Sequence, residues 1–455
     1  MTRDGGAACR VPRPPSGRAH GSRNAHLRTA AASAARIMAA MSTDAGGLPA
    51  HGPTRATGAG DTRRRPAWRL AIPAAALVLV ALCLRGPFAA VGPVLDELGD
   101  ELSLPTAALA VVAALPLVCF GLLSPLAPVL AARVGLHRAA LAATAVLLLG
   151  VLLRLGGVGG LFAGTVLLTG GIAVVNVLLP ALARAEYGAR SAVVLGAATG
   201  AMAFSASLGA GFAQPVSDLT GSAVRGLAVW AVPILAALLG LALLTRRRPG
   251  RAAPLPAPGR RTAILRDRVA LTVMVFFGLQ SLSFYGMLTW LPAILEDDAG
   301  VSPVAAGGLV ALAAALGAPL SLLVPPLAAG RPGQAPWVLA AFLPAAAGVV
   351  GLLVAPAAAP VAWSVLYGVG TGAAFPLAMT LVLVRSRDVA QTGRLSAASQ
   401  TVGYLLAATG PLTVGLLHEA TGGWRAGLIL MLVLLGAQAA VGLLAARPRL
   451  VDAAA

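Results

Sequence analysis

Arg85 interrupts a segment that is otherwise apolar, with Leu77-Val78-Leu79-Val80-Ala81-Leu82-Cys83-Leu84 before it and Gly86-Pro87-Phe88-Ala89-Ala90-Val91 after it. A guanidinium inside such a segment is costly unless it faces water, an anion or a polar partner, so a charge placed there marks function. Its planar fork of donors suits small oxyanions and carboxylates, and the chemistry indicated is anion binding. Gly86 and Pro87 loosen the helix beside it, an interruption that often flanks the site of a membrane carrier. The structural alternative is that Arg85 snorkels to the outer surface or pairs with Asp96 or Glu97.

No Asp or Glu lies near the middle of any long apolar segment. Proton coupling through a buried carboxylate therefore has no seat. What remains for it is His418 beside Glu419, the peripheral Asp96, or protonation of the solute itself, and facilitated movement or anion exchange are equally open. The chain contains no lysine, which excludes a P-loop and with it an ATP-driven pump built into this chain. No nucleophile motif or metal-ligand cluster is present, so neither an enzyme nor a cofactor is called for. Cys9, Cys83 and Cys119 are odd in number and the last two sit in apolar runs, which reads as packing and not as a disulfide framework.

The elements that carry these residues follow from composition. Of 455 residues, 58% are hydrophobic and 11% charged, against about a quarter charged in soluble domains. Charges and turn residues cut the chain into twelve segments of membrane-crossing length, near 70–91, 105–130, 137–154, 161–183, 190–213, 226–245, 269–294, 304–328, 336–355, 360–384, 394–417 and 425–446. Each approaches the roughly 20 apolar residues that cross a bilayer core as a helix. The fold class expected is an all-α integral membrane protein of twelve transmembrane helices.

The net charge of +18 raises the question of nucleic acid. A nucleic-acid binder gathers its cations on a polar domain, often with aromatics between them. Here the arginines fall between apolar segments and aromatics make up 4%. They mark topology instead: with both termini in the cytoplasm, 30 of the 34 arginines lie on cytoplasmic segments, as the positive-inside rule requires. Arg154, Arg225 and Arg425 fall outside, and Arg85 alone is left within a span.

Residues 1–67 are rich in Arg, Ala, Gly, Pro and Ser without apolar periodicity, the composition of a disordered cytoplasmic tail; Met38 and Met41 offer later starts for synthesis. Six spans occupy 68–245, an Arg/Pro-rich cytoplasmic linker 246–268, six more spans 269–448, and a short tail 449–455. The two sets are related by an offset of 198 residues, which brings Pro105 onto Pro303, Pro128 onto Pro326, Arg133 onto Arg331 and Gly135 onto Gly333. A fixed period of this kind marks internal duplication.

Two parallel six-helix halves joined by a long basic linker resemble the major facilitator superfamily, whose binding site lies between the halves near mid-membrane. Within it, several stretches are similar to the cyanate permease and 2-nitroimidazole transporter family: Leu84-Arg85-Gly86-Pro87 with Val91-Gly92-Pro93-Val94-Leu95, Gly170-Gly171-Ile172-Ala173 with Asn176, and Gln400-Thr401-Val402-Gly403-Tyr404 running to Gly410-Pro411. Ala132 stands where the superfamily usually carries an acid, and Cys83 where family members often have Asn.

The resemblance implies a carrier working by alternating access on a small polar or anionic solute, such as a cyanate-like anion or a nitro-heterocycle. The implied setting is a bacterial cytoplasmic membrane, with a monomeric carrier whose partners are the solute and the lipid bilayer, and no nucleic acid. It nominates Arg85, Asn176, Gln280, Tyr285, Thr371 and Phe375 on the first, fourth, seventh and tenth spans, with Gln400 and Tyr404 of the eleventh, four apart on one face. Arg133, Gly135 and Arg138, repeated as Arg331 and Gly333, are the expected gating loops, and His418 and Asp96 the proton-coupling candidates. The rivals are a multidrug exporter, which needs a large aromatic cavity, and a carrier-shaped sensor, which binds without flux.

Overall fold

The computed structural model describes residues 67–247 and 263–452; the expected tail up to residue 66, linker residues 248–262 and the last three residues lie outside them. The described residues form helices and turns, with no strand among them. The first half comprises α1 (Ala67–Leu82), α2 (Gly86–Ala89), α3 (Leu95–Leu102), α4 (Thr106–Leu123), α5 (Leu126–Val134), α6 (Leu136–Leu153), α7 (Gly157–Tyr187), α8 (Ser191–Thr220), α9 (Ala223–Ala228) and α10 (Ala231–Arg247). The second comprises α11 (Arg268–Asp297), α12 (Pro303–Ala315), α13 (Gly317–Ala329), α14 (Ala335–Val354), α15 (Pro360–Arg385), α16 (Val389–Ala407), α17 (Thr409–Thr421) and α18 (Arg425–Ala445).

Among the described residues, ten runs are long and apolar enough to cross a membrane, or eleven when α4 and α5, bent by 53°, count as one. One of the ten, Gly157–Thr220, is 64 residues long and contains both α7 and α8. At 1.5 Å per residue each of these helices is about 46 Å long, enough to cross alone. They turn at Gly188, whose φ of 50° suits glycine, and pack against one another. That run is why a count by length and apolarity falls short of the twelve segments expected. We call the face where α1 begins and α18 ends the terminal face, and the opposite one the distal face.

With lipid as solvent, helices associate by close packing and interhelical hydrogen bonds. Glycine supplies the close packing. A Cβ on Gly150 of α6 would strike the backbone of α7 at Gly164 and Leu168, and one on Gly348 of α14 would strike α15 at Trp363 and Tyr367. The two glycines are 198 residues apart, the offset of the sequence repeat. Between the halves, Gly196 and Gly200 of α8 lie against Leu322 of α13, and Gly121 of α4 against Leu405 of α16.

Candidate substrate cavity

The first span is broken where the sequence places Arg85. Helix α1 ends at Leu82, and α2 starts again at Gly86 with Pro87 in its first turn, where a missing N–H costs nothing. The break leaves a carbonyl and an amide inside the bundle, and one side chain serves both: the Ser205 hydroxyl of α8 donates to the Leu82 carbonyl and accepts from the Gly86 N–H at 2.8 Å. Ser205 is fully buried, with 0% exposure. Two glycines make this approach possible. A Cβ on Gly209 would run into the Gly86 backbone, and one on Gly86 into the Trp230 ring.

Arg85 projects from this break into a cavity of about 970 Å³ between the halves. Its guanidinium lies 4.9 Å from the centre of the Phe375 ring, a cation–π distance, and Tyr285 lines the same cavity. The lining runs from mid-helix to the distal ends and includes Phe88 and Gly92, Ala210 and Gly211, Gln280, Tyr285 and Thr289, and Ala311 to Ala315. Arg85 is half-buried and neither reaches the surface nor pairs with Asp96 or Glu97. Glu97 bonds instead to Ser217 at 2.6 Å and to Gln214.

Of the other nominated residues, Gln280, Tyr285, Thr371, Phe375 and Tyr404 line the same cavity. Asn176 and Gln400 do not. Asn176 lines a small side pocket beneath Arg85, shared with Tyr285 and Tyr404, and its amide donates to Gln400 at 2.9 Å and to the Tyr404 hydroxyl at 3.2 Å. Gln400 is fully buried and donates in turn to Ser396. The two residues, 224 apart in sequence, tie α7 to α16 below the cavity floor, so Gln400 is a bond between the halves in this conformation. The Asn176 carbonyl oxygen is buried without a hydrogen-bond partner.

The two proton-coupling candidates lie away from the cavity. Asp96 is exposed on α3 near the distal face. His418 stacks on Trp424 with ring centres 3.8 Å apart, in a cluster where Trp424 donates to Asp297 at 2.8 Å and Trp290 to the Pro411 carbonyl. Asp96 sits in the first turn of α3 and His418 in the last turn of α17, and neither lines the cavity.

Closure on the terminal side rests on Arg184, an arginine that its place in the sequence accounts for by topology, and on Thr199. Arg184 at the end of α7 donates across to the second half, to Leu383 O at 2.7 Å, Arg387 O at 3.0 Å and Thr392 Oγ1 at 3.4 Å. Thr199 of α8 donates to Ser321 O of α13 at 3.1 Å. The expected gating residues Arg133, Arg138 and Arg331 are exposed. Gly135 has a φ of 90° that only glycine adopts easily and joins α5 to α6, whereas its repeat partner Gly333 has no such backbone. The contact that ties this loop down is His137 to Glu186, at 2.9 Å. Arg154, assigned to the external surface by its place in the sequence, is 2% exposed and lines the cavity.

Two helix bundles around a central cavity closed at one face define a membrane carrier. The profile of the Major Facilitator Superfamily matches residues 77–411, and the chain belongs to that superfamily. It is 35% identical to the 2-nitroimidazole transporter of Escherichia coli over 291 residues, 64% of this chain and 73% of that one. It is 28% identical to a cyanate transport protein of the same organism over 259 residues, 56% of this chain and 65% of that one. Among solved structures, a proton:xylose symporter is similar with a TM-score of 0.68 at 14% identity, over 84% of this chain and 95% of that one, a likeness of fold. The chain is thus a multi-pass membrane transporter of small solutes.

Proposed function

We propose that this carrier moves a small anion across a bacterial cytoplasmic membrane by alternating access, with Arg85 as the group that holds the anion. The observation that carries the reading is Arg85 itself, a guanidinium at a helix break, facing a cavity whose described lining contains no carboxylate. Charge-assisted hydrogen bonds from its fork, with Tyr285 beside it, suit a carboxylate or oxyanion. Phe375, Phe284 and Phe88 offer flat apolar walls to a planar solute. The relatives named for cyanate, a linear anion, and for 2-nitroimidazole, a flat heterocycle, support a small solute.

The conformation described is open towards the distal face. The distribution of arginines argues that this face is external and both termini cytoplasmic. Tyr404 closes the floor with the Asn176–Gln400 bond beneath it, and Arg184 serves as the latch of the cytoplasmic side.

A second reading, efflux of larger organic molecules, is favoured by the cavity volume of about 970 Å³ and its aromatic lining, which is the size of a drug-binding pocket. Uptake of radiolabelled cyanate and benzoate into proteoliposomes, against export of a bulky neutral dye, separates the two. Anion flux that is lost in Arg85→Ala supports the first reading. Dye flux indifferent to that substitution supports the second.

A further inference from the structure

We propose that the segment following α18, residues 447–452, positions the acceptors of the Arg184 latch, with Val451 as its anchor. The inference rests on Arg184 being the latch of the cytoplasmic side and goes beyond it to what holds the opposite partner in place. The Leu383 and Arg385 carbonyls lie in the last turn of α15, where a helix supplies no partner of its own. Arg184 takes the first, and the Val451 N–H takes the second at 2.9 Å. Past Ala445 the chain leaves α18 and runs back across the turn between α15 and α16. There the Val451 carbonyl accepts from Arg387 Nε at 2.8 Å, and the Asp452 carbonyl from Gln391 Nε2 at 2.7 Å. The Asp452 N–H donates to Asp267 Oδ2 at 3.1 Å, while the other oxygen of Asp267 caps α11 at Ala270. The Val451 side chain is fully buried, although Leu450 and Asp452 on either side of it are exposed.

Two side chains of the second half complete the arrangement. Arg385, itself buried, donates to the Ala445 and Ala446 carbonyls at 2.9 Å each and to Gln334, which fixes the point where the segment leaves α18. Gln391 holds Asp452 with its amide, and its Oε1 accepts from the Arg387 N–H at 2.8 Å. Arg387 is thus held by its own N–H and by its side chain, and its carbonyl is the one that Arg184 reaches at 3.0 Å. The partners of Val451 and Asp452 all belong to the second half. The segment therefore moves with that half as the carrier rocks, whereas Arg184 of the first half meets the turn only when the terminal side is closed. An acceptor already in place costs the latch no ordering. A loose turn has to be ordered at every closure, and fixing one backbone residue is worth about tenfold in an equilibrium. Release of the segment thus shifts the carrier towards its terminal-open state and leaves the cavity lining as it was.

The test uses the full-length protein with spin labels at the terminal ends of α7 and α16, whose distance distribution reads the ratio of terminal-open to terminal-closed molecules. Val451→Asp puts a charge where the segment buries its anchor, and is expected to raise that ratio about tenfold. Val451→Ala shortens the anchor and is expected to raise it less, in the same direction. Val451→Ile, which keeps an apolar anchor, is expected to retain the wild-type distribution. In an Arg184→Ala background the effect of Val451→Asp is expected to vanish, because the segment acts through the latch; general loosening of the bundle would persist there, and an effect of full size in that background would overturn the inference. If Val451→Asp yields no folded protein, Val451→Ala decides in its place. Unchanged distances in the Val451 variants, while Arg184→Ala alone lengthens them, would overturn the positioning role and leave the latch standing. Unchanged distances in Arg184→Ala as well would overturn both.

Discussion

The break in the first span depends on one hydroxyl, and Ser205→Ala removes it. The Gly86 N–H then loses its acceptor at 2.8 Å and the Leu82 carbonyl its donor. Ser205 is fully buried, so water does not take its place. Leaving a buried polar group unpaired costs about 1–3 kcal/mol, but interhelical bonds in membrane proteins average nearer 0.6 kcal/mol because the unfolded chain also finds partners. About 1 kcal/mol for each of the two groups gives a loss of about 2 kcal/mol. The same change frees the backbone next to Arg85, and anion affinity is expected to fall about tenfold, the equivalent of about 1.4 kcal/mol. Reversible unfolding in mixed detergent reads the first effect and binding of labelled anion the second. Ser205→Thr keeps the hydroxyl and is expected to recover both. If Ser205 acts on binding through Arg85, its effect on affinity disappears in an Arg85→Ala background. Stability within about 0.5 kcal/mol of wild type, the range of an ordinary surface substitution, together with unchanged affinity would refute this reasoning.

Two further predictions follow from the same packing. Gly209→Ala places a methyl group against the backbone of Gly86, which cannot swing aside, and is expected to cost about 1–3 kcal/mol and most of the transport rate; Gly211→Ala, with nothing within 4 Å of its Cβ, is expected to fold normally, as thermal stability of the purified pair will show. Arg184→Ala removes the donor that spans the halves, and losing two good bonds to carbonyls worth about 1 kcal/mol each shifts the equilibrium towards the terminal-open state about thirtyfold. Spin-label distances between the terminal ends of α7 and α16 are expected to lengthen, and an unaltered distribution would count against the latch.

The membrane fold was legible because its signals are local. Apolar length, arginine placement and the 198-residue offset are read directly along the chain, and Arg85 stood out as a charge where neighbouring residues gave no reason for one. The roles of Arg154 and Arg184 are hidden in the sequence for the opposite reason. Each stands near the end of a span, where topology alone accounts for an arginine, and only packing reveals that one is buried against Pro87 and the other reaches Leu383. The Ser205 bridge joins residues 119 apart and the Asn176 bond to Gln400 residues 224 apart, and no pattern within either segment announces them. Gly135 and Gly333 mark the limit of reading the repeat residue by residue: the offset matches them, yet only Gly135 adopts a positive φ. His418 looked titratable in sequence, and its stacking on Trp424 away from the cavity is a matter of tertiary packing.

The central claim is that Arg85 holds the anion, and equilibrium binding tests it without depending on coupling or direction. Labelled cyanate and benzoate are titrated against purified wild type, Arg85→Lys and Arg85→Ala in detergent. Loss of a charge-assisted bond worth about 1.5–3 kcal/mol predicts a Kd weaker by about tenfold to a hundredfold in Arg85→Ala, with Arg85→Lys between. The same Kd in all three proteins would contradict the account.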